Sequence, residues 1–389
     1  MSVKTSDGRM LNKEKIKGIS SLTELPHKFL EAAYRVGIDS NEIKRSGTYL
    51  YIDHSVVLSK VNEYFKGKLE IMDTKDALKR YPWLRDYYWK LIDVDEDKYT
   101  KMVDDEFGGG YFMRILPDAK IEFPLQTCLM ISKEGLEQRV HNIIIAEEGS
   151  EARIITGCSI HPDTVSGQHI GVSEFFIKKN ARINFTMIHN WSNKADVRPR
   201  SVALLEDNST FISNYIMLNP VMNIDMYPRA LCNGINATAE FNSIIYAQKG
   251  SFIDVGSKIE FNAPNCRGEI VSRAIAKEKS KIIVRGSIYG NKSPSKGHLE
   301  CKGLLMDDTS TIHAIPELIG SKKDIDLSHE AAIGKIAEKE IVYLMSRGLS
   351  RSEATSVIVR GFLDVNIFGL SEDLQKEIKD TINKMTDAL

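Results

Sequence analysis

The 389-residue sequence has no apolar run approaching the length needed to span a bilayer, and its start, MSVKTSDGRMLNKEKIKG, has no apolar secretion core. A soluble, cytoplasmic chain is expected. It lacks a charge excess, since 52 Lys and Arg stand against 53 Asp and Glu. No global cationic field therefore exists to attract nucleic acid or an anionic membrane, and neither is an expected partner. Cysteine is scarce. The five thiols, Cys128, Cys158, Cys232, Cys266 and Cys301, are odd in number and include no CxxC pair. That excludes a disulfide framework and a self-contained zinc site and predicts reduced thiols. GxGxxG, HExxH and GxSxG are absent as well. RGSIYGNKS approaches a phosphate loop only superficially, because Asn291 and not glycine precedes Lys292. The chain is thus expected to have no nucleotide site of its own, and a nucleotide-dependent step needs a partner.

What is present is enough apolar material for a sizeable core, at 42% hydrophobic and 27% charged residues. Residues 1–105 read as mostly helical. In LTELPHKFLEAAYRVG, Pro26 suits a first helical turn, Phe29, Leu30, Ala33 and Val36 share a face, and Gly37 can close the helix. TYLYIDHSVVL can form a strand, and the aromatics of YPWLRDYYWKLI recur at helical spacing, as core packing does.

Over residues 106–326 the texture changes to short β-branched runs between polar turns, and one phrase returns in altered form. Aligned on the small residue that ends each turn, AEEGSEARI, IKKNARINF, LEDNSTFIS, GINATAEFN, AQKGSFIDV, AKEKSKIIV and MDDTSTIHA fall at Ser150, Ala181, Ser209, Ala237, Ser251, Ser280 and Ser310. The intervals are 31, 28, 28, 14, 29 and 30, and 14 is half of 28. One strand plus one turn, twice per coil, is a flattened parallel β-helix. Inward positions alternate along its strands, so Ile183 and Phe185, or Ile282 and Val284, are predicted to point into the core.

Residues 327–389 read as a helical domain. LSHEAAIG, Leu327 to Gly334, reads as the seam where strand gives way to helix. Ile333, Ile336, Ala337, Ile341, Leu344 and Met345 mark one helical face, Gly348 stops it, and Ser350 with Glu353 forms a capping box for EATSVIVRGFL. A last helix is predicted from Ser371, with Leu374, Ile378, Ile382 and Met385 in one stripe. These helices are expected to cap the solenoid's open end, and the apolar character of EATSVIVRGFL leaves room for partner docking as well.

Candidate ligands gather near this end. Cys301 shares a strand face with Leu299 and Leu305, the position of an ordinary core cysteine. His298, three residues back, falls on the opposite face. His313 follows a half-coil later, and His329 and Glu330 one coil later. A thiolate, imidazoles and a carboxylate suit iron or zinc. No spacing here is a local chelate, so these groups meet only through the fold or across a subunit interface. Cys128 and Cys158, 30 apart, can stack on successive coils.

FGGGYFMRILPDAKIEFPLQ, HNIIIAEEGSEARIITGCS, HLECKGLLMDD, HAIPEL, LSHEAAIGKI and LMSRGLSRSEATSVIVRGF together resemble the SufB/SufD proteins of iron–sulfur cluster assembly. The resemblance spans roughly residues 100 to 370. It implies a right-handed parallel β-helix with helical ends, and a scaffold rather than an enzyme. It further implies a dimer through the C-terminal part of the core, with itself or a SufB/SufD-like paralogue, and a SufC-type ABC ATPase on the C-terminal helices. A sulfur donor and apo-protein acceptors complete the implied partners, and the implied cargo is a transient cluster built from iron and persulfide sulfur. On this resemblance Cys301 is the principal sulfur and cluster ligand, with Glu330 and His329 beside it, and His313 and His298 are weaker candidates. Arg347, Gly348, Ser350, Glu353, Val357, Ile358, Gly361 and Phe362 lie in the segment that receives the ATPase. Ser328 is SufD-like while Cys301 and Glu330 are SufB-like, so a hybrid serving as both halves of a homodimer is expected. The internal cysteine of SufB falls at Leu205, which removes the usual sulfur path, with Cys158 or Cys232 as substitutes. A SufD-like partner without its own cluster is the alternative, and a β-helix carbohydrate-active enzyme is a more distant one.

Overall fold

A computed structural model describes residues 18–217 and 219–363 together with Lys376. Two facing sheets, of ten and eleven strands among the described residues, wind into a β-solenoid of about eight turns. The ten-stranded sheet runs from Ser55–Val61 to Ile325–Lys335, and Thr311–Gly320 closes the far end of the other. Strands pair in parallel except at the N-terminal end, where Gly47–Ile52 meets Ser55–Val61 and Leu69–Asp73 meets Tyr111–Ile115 antiparallel.

The returning phrase is the corner of each coil. Its small residue is buried at all seven positions, Ser150, Ala181, Ser209, Ala237, Ser251, Ser280 and Ser310. The residue just before it has positive φ in six of them: Gly149, Asn180, Asn208, Asn236, Gly250 and Lys279. Glycine and asparagine tolerate that left-handed turn, and a small side chain then fits beneath the tight corner. Asn236 Nδ2 donates to Asn208 Oδ1 (2.8 Å), and Asn208 Nδ2 to Asn180 Oδ1 (3.2 Å), which ties successive corners together. The first four small residues precede strands of the ten-stranded sheet and the last three precede strands of the other, so the interval of 14 is the crossing between sheets.

Inward residues of both sheets form the main core, including Ile183, Phe185, Ile282 and Val284 as the alternation predicts. Burying each such side chain contributes about 1.5–3 kcal/mol before entropy is subtracted. The outer face of the ten-stranded sheet carries a second apolar stripe. It holds Cys128, Ile155, Ile188, Ile216, Ile244, Ile275 and Leu304, and is covered by the helix His27–Tyr34 and by Val359 and Leu363 of the C-terminal helix Arg351–Leu363. Cys128 and Cys158 therefore do not stack. Cys128 pairs in register with Gly157, which puts Cys158 on the opposite, inward face.

The N-terminal region is less helical than its sequence suggests. TYLYIDHSVVL forms a hairpin of Gly47–Ile52 and Ser55–Val61, with Asp53 at φ 56° in the turn. YPWLRDYYWKLI contributes only the 3₁₀ turn Pro82–Asp86, and its rings pack on Phe112 and Phe176 outside the eleven-stranded sheet. Glu174 anchors this cover from a fully buried position. It accepts from the backbone N–H of Trp89 (2.9 Å), Leu91 (2.5 Å) and Ile92 (3.3 Å), and pairs with His141 Nε2 (2.8 Å).

LSHEAAIG is a correction too. The whole phrase is strand, paired in register with Ser295–Leu305 from Ile325 to Lys335, and the helix begins only at Glu338. Parallel pairing with a complete neighbouring strand satisfies one side of the backbone there and leaves the other as a sheet edge, and Ile333 belongs to strand rather than to a helical face. The sheets thus extend from Gly47 to Lys335, beyond the 106–326 block at both ends. The helices Glu338–Met345 and Arg351–Leu363 follow as a hairpin. Gly348 turns it at φ 97°, and Ser350 and Glu353 form the expected capping box, with Ser350 N–H donating to Glu353 Oε2 (2.7 Å) and Glu353 N–H to Ser350 Oγ (3.2 Å). The helix predicted from Ser371 lies outside the described residues. Among the described residues no helix is long and apolar enough to cross a membrane.

Candidate functional site

Three neighbouring strands of the ten-stranded sheet, Cys266–Ala276, Ser295–Leu305 and Ile325–Lys335, build the end of the solenoid. Their register aligns Ser272, Cys301 and Ala331 in one row, with Leu299 beside His329, Glu300 beside Glu330, and His298 beside Ser328. Alternation then sorts the side chains. Leu299 and Cys301 enter the core, at 0% and 2% exposure. His329 shares their face, but among the described residues no further coil covers it and it is exposed. His298, Glu300 and Lys302 face outward, and Glu330 joins them.

The sequence-predicted ligands are therefore divided. Cys301 and His329 share the inward side, whereas Glu330 stands on the outer side and does not meet Cys301 within one chain. His298 is on the face opposite Cys301, as its spacing implies. His313 pairs with Ile283 on the other sheet, exposed, and the fold does not bring it to Cys301.

Burial pushes the Cys301 thiol up to about 11, and the charge of Glu300 adds to that while Arg273 opposes it. In this closed arrangement Cys301 is a thiol, and ligation of iron or acceptance of sulfur requires it to be uncovered and deprotonated. Among the described residues only the coil ending in Ile325–Lys335 separates it from the solenoid's open end.

The outer side holds groups that sequence reading missed. Glu300 is ion-paired to Arg273 and to Lys302 Nζ (2.8 Å), and Lys302 Nζ also reaches Glu330 Oε1 (3.2 Å). Burial works to raise the Glu300 carboxyl, but hydrogen bonds from Lys302 and Arg273 outweigh it and hold the group below its usual range. His298 Nδ1 bonds Ser328 Oγ (2.9 Å). One candidate ligand atom from each of His298, Glu300 and Glu330 lies within 4.8 Å of the others. The signal was in the sequence: 298 and 300 share parity, and 330 follows 300 by 30 residues, one coil.

The residues expected to receive a partner occupy the helical hairpin. Val357 and Gly361 are exposed and Ile358 and Phe362 half-buried. Val342, Tyr343 and Met345 on the preceding helix are exposed apolar side chains as well. EATSVIVRGFL packs Val359 and Leu363 into the outer apolar stripe. Leu205 is fully buried, and Cys232 is its direct neighbour on the next coil. Cys232 lies against Cys266, whose thiol hydrogen bond, with burial, pushes the Cys232 thiol well up.

The description "SUF system FeS cluster assembly, SufBD core domain" matches residues 129–362. An "Iron-sulfur cluster assembly SufBD family protein" of Archaeoglobus fulgidus is 51% identical over 352 residues, covering 90% of this chain and 94% of that protein. A similarly named protein of Methanothermobacter thermautotrophicus (strain Winter) is 47% identical, over 92% of this chain and 87% of its own. Another, of Pyrococcus horikoshii, is 32% identical over 95% and 84%. With the solenoid and its sorted end on view, these likenesses establish that the chain belongs to the SufBD family and has a role in iron–sulfur cluster assembly.

Proposed function

We propose that the chain is a scaffold that receives sulfur and iron at the open end of its solenoid and holds a nascent cluster there, with Cys301 as the principal ligand and His329 beside it. The carrying observation is the position of Cys301, one coil from an end that no other described residues cover. That end also supports a dimer. Thr311–Gly320 and Ile325–Lys335 are long edge strands, 10 and 11 residues, and such edges call for a covering partner. A second copy joined there, or a SufB/SufD-like paralogue, brings two Cys301 and two His329 toward one seam, so the shared site is complete only in the pair. Glu330, on the outer side, then acts beside the seam rather than as a ligand on the Cys301 face.

Chemistry fits this division of labour. Thiolate is the durable donor for iron–sulfur clusters, and imidazole, a weaker one, eases release of the cargo. Energy comes from outside, because the chain has no phosphate-binding motif. A SufC-type ABC ATPase docks on the hairpin over Arg347, Gly348, Ser350, Glu353, Val357, Ile358, Gly361 and Phe362, and its nucleotide-driven approach to a second copy twists the hairpins and opens the seam. The chain itself catalyses no reaction in this reading and works in the cytoplasm with a sulfur donor and apo-protein acceptors.

Anaerobic reconstitution with ferrous iron and sulfide tests it. Wild type should gain the visible absorption of a cluster, and Cys301→Ala should lose it with unchanged circular dichroism. Unchanged cluster absorption in Cys301→Ala removes this residue from the site, and absence of any cluster in wild type points to a SufD-like partner instead.

A further inference from the structure

The outer cluster opposite Cys301 enters the scheme above only through Glu330, which acts beside the seam. It combines one imidazole and two carboxylates with candidate ligand atoms mutually within 4.8 Å. Their origin is regular. His298 and Glu300 stand two apart on one strand and Glu330 next to Glu300 on the following strand, so a rigid parallel ladder and not a loop fixes the spacing. Ser328 sits beside His298 in the same ladder and bonds its Nδ1 at 2.9 Å. When Nδ1–H donates to that hydroxyl, the Nε2 lone pair is free to coordinate, the arrangement that orients metal-binding imidazoles generally. A cation already occupies the space between the carboxylates. Lys302 Nζ lies 2.8 Å from Glu300 and 3.2 Å from Glu330, on a half-exposed, flexible stem.

We propose that His298, Glu300 and Glu330 form a loading site for a first-row divalent cation, for which the Lys302 ammonium is a displaceable stand-in. One nitrogen and two carboxylate donors suit ferrous iron and its neighbours manganese, cobalt and zinc. On binding, Lys302 swings into solvent, while Arg273, only 15% exposed, stays on Glu300 and keeps that carboxylate in place. Exchanging one positive charge for two beside Arg273 makes the site weak. Weak binding suits a station that passes its metal on. Its role as the iron entrance rests on the scaffold reading, since it lies on the same strand as Cys301 with the opposite parity; the binding itself does not.

Cobalt(II) is the probe, added anaerobically to the full-length chain, with affinity read by calorimetry and by visible d–d absorption. One cobalt per chain is expected. His298→Ala should weaken it at least about tenfold. Lys302→Met should tighten it, by about tenfold, because the competing ammonium is gone. Cys301→Ser should leave cobalt affinity unchanged while cluster formation is lost, which separates this site from the scaffold reading. Absence of binding in wild type, or binding indifferent to His298→Ala, overturns the site. Weaker or equal binding in Lys302→Met overturns the stand-in. All three positions tested tolerate replacement without a large core defect, since His298 and Lys302 are half-exposed and Cys301→Ser is near-isosteric; equal thermal unfolding across the set confirms it.

Discussion

Glu174 is the sharpest place to test how the N-terminal segment is held to the solenoid. Its carboxylate, 0% exposed, is the common acceptor for three backbone N–H groups at Trp89, Leu91 and Ile92, and it also pairs with His141. In Glu174→Ala those three donors lose their partner at once. Each buried orphan costs about 1–3 kcal/mol, and water reaching the vacated space recovers part of it, so a loss of about 3–5 kcal/mol is expected. The loss should be local. Tyr88, Trp89 and Phe107 surround the His141 ring, and Ile92 joins Val103, Ile170 and Val172 in a cluster separate from the main core. Hydrogen exchange read by mass spectrometry should therefore accelerate in peptides covering residues 87–105, while the strands Cys266–Ala276 and Ser295–Leu305 keep their protection. Glu174→Gln, which retains one acceptor oxygen, should fall between. Unchanged exchange over residues 87–105 in Glu174→Ala refutes the anchoring role.

Three further outcomes are expected. Cys301, buried and held as a thiol, should react with iodoacetamide at pH 7.5 at least about a hundredfold more slowly in the native chain than in urea; labelling within tenfold of the unfolded rate contradicts the closed arrangement. Leu363→Ala removes a buried contact of the hairpin with the outer stripe and should cost about 2–5 kcal/mol locally, seen as faster tryptic cutting near Arg351 and Arg360; an unchanged digestion pattern contradicts that packing. Burial favours the protonated Asp307 carboxyl, but bonds from Thr309 and from the backbone of Glu278, Thr309 and Ser310 prevail and hold it well below the usual range. Its stabilisation is therefore complete above the unfolded-state range and fades as pH falls through and below about 4. Asp307→Asn should flatten the acid limb of the stability curve, and identical limbs in both proteins contradict the assignment.

Much of this fold is legible in the sequence because each coil repeats one local solution. A left-handed residue in six of seven corners, a buried small residue and an alternating strand recur from coil to coil, and each is dictated by chain sterics rather than by distant contacts. The first hundred residues are harder. TYLYIDHSVVL becomes a hairpin only because the strand Leu125–Ile131 accepts its first half, and the YPWLRDYYWKLI aromatics adopt an irregular path because Glu174, far along the chain, gathers its N–H groups. LSHEAAIG misleads for a related reason: Ala331, Ala332 and Ile333 are acceptable in a helix, and lateral pairing with a neighbour overrides that preference. The site was half visible. Cys301, His329 and Glu330 stand out by donor type, but only the register puts Cys301 and His329 on one face and Glu330 on the other, and Glu300, Lys302 and Arg273 draw their meaning from rows that run across coils, where no chelate spacing along the chain marks them.

The outer apolar stripe has a mechanical consequence. Because it runs unbroken from beneath the N-terminal helix to beneath the hairpin, the two ends of the molecule are spliced to one stiff rod whose length is set by how many coils lie between them. Excising one complete turn of the winding would shorten that rod by one strand spacing, about 4.8 Å, and leave every side chain on its present face. Removing a single residue from a strand would instead turn the following side chains inside out. Lengthening or trimming this protein by whole windings is thus a way to slide its hairpin along the axis without redesigning either terminus.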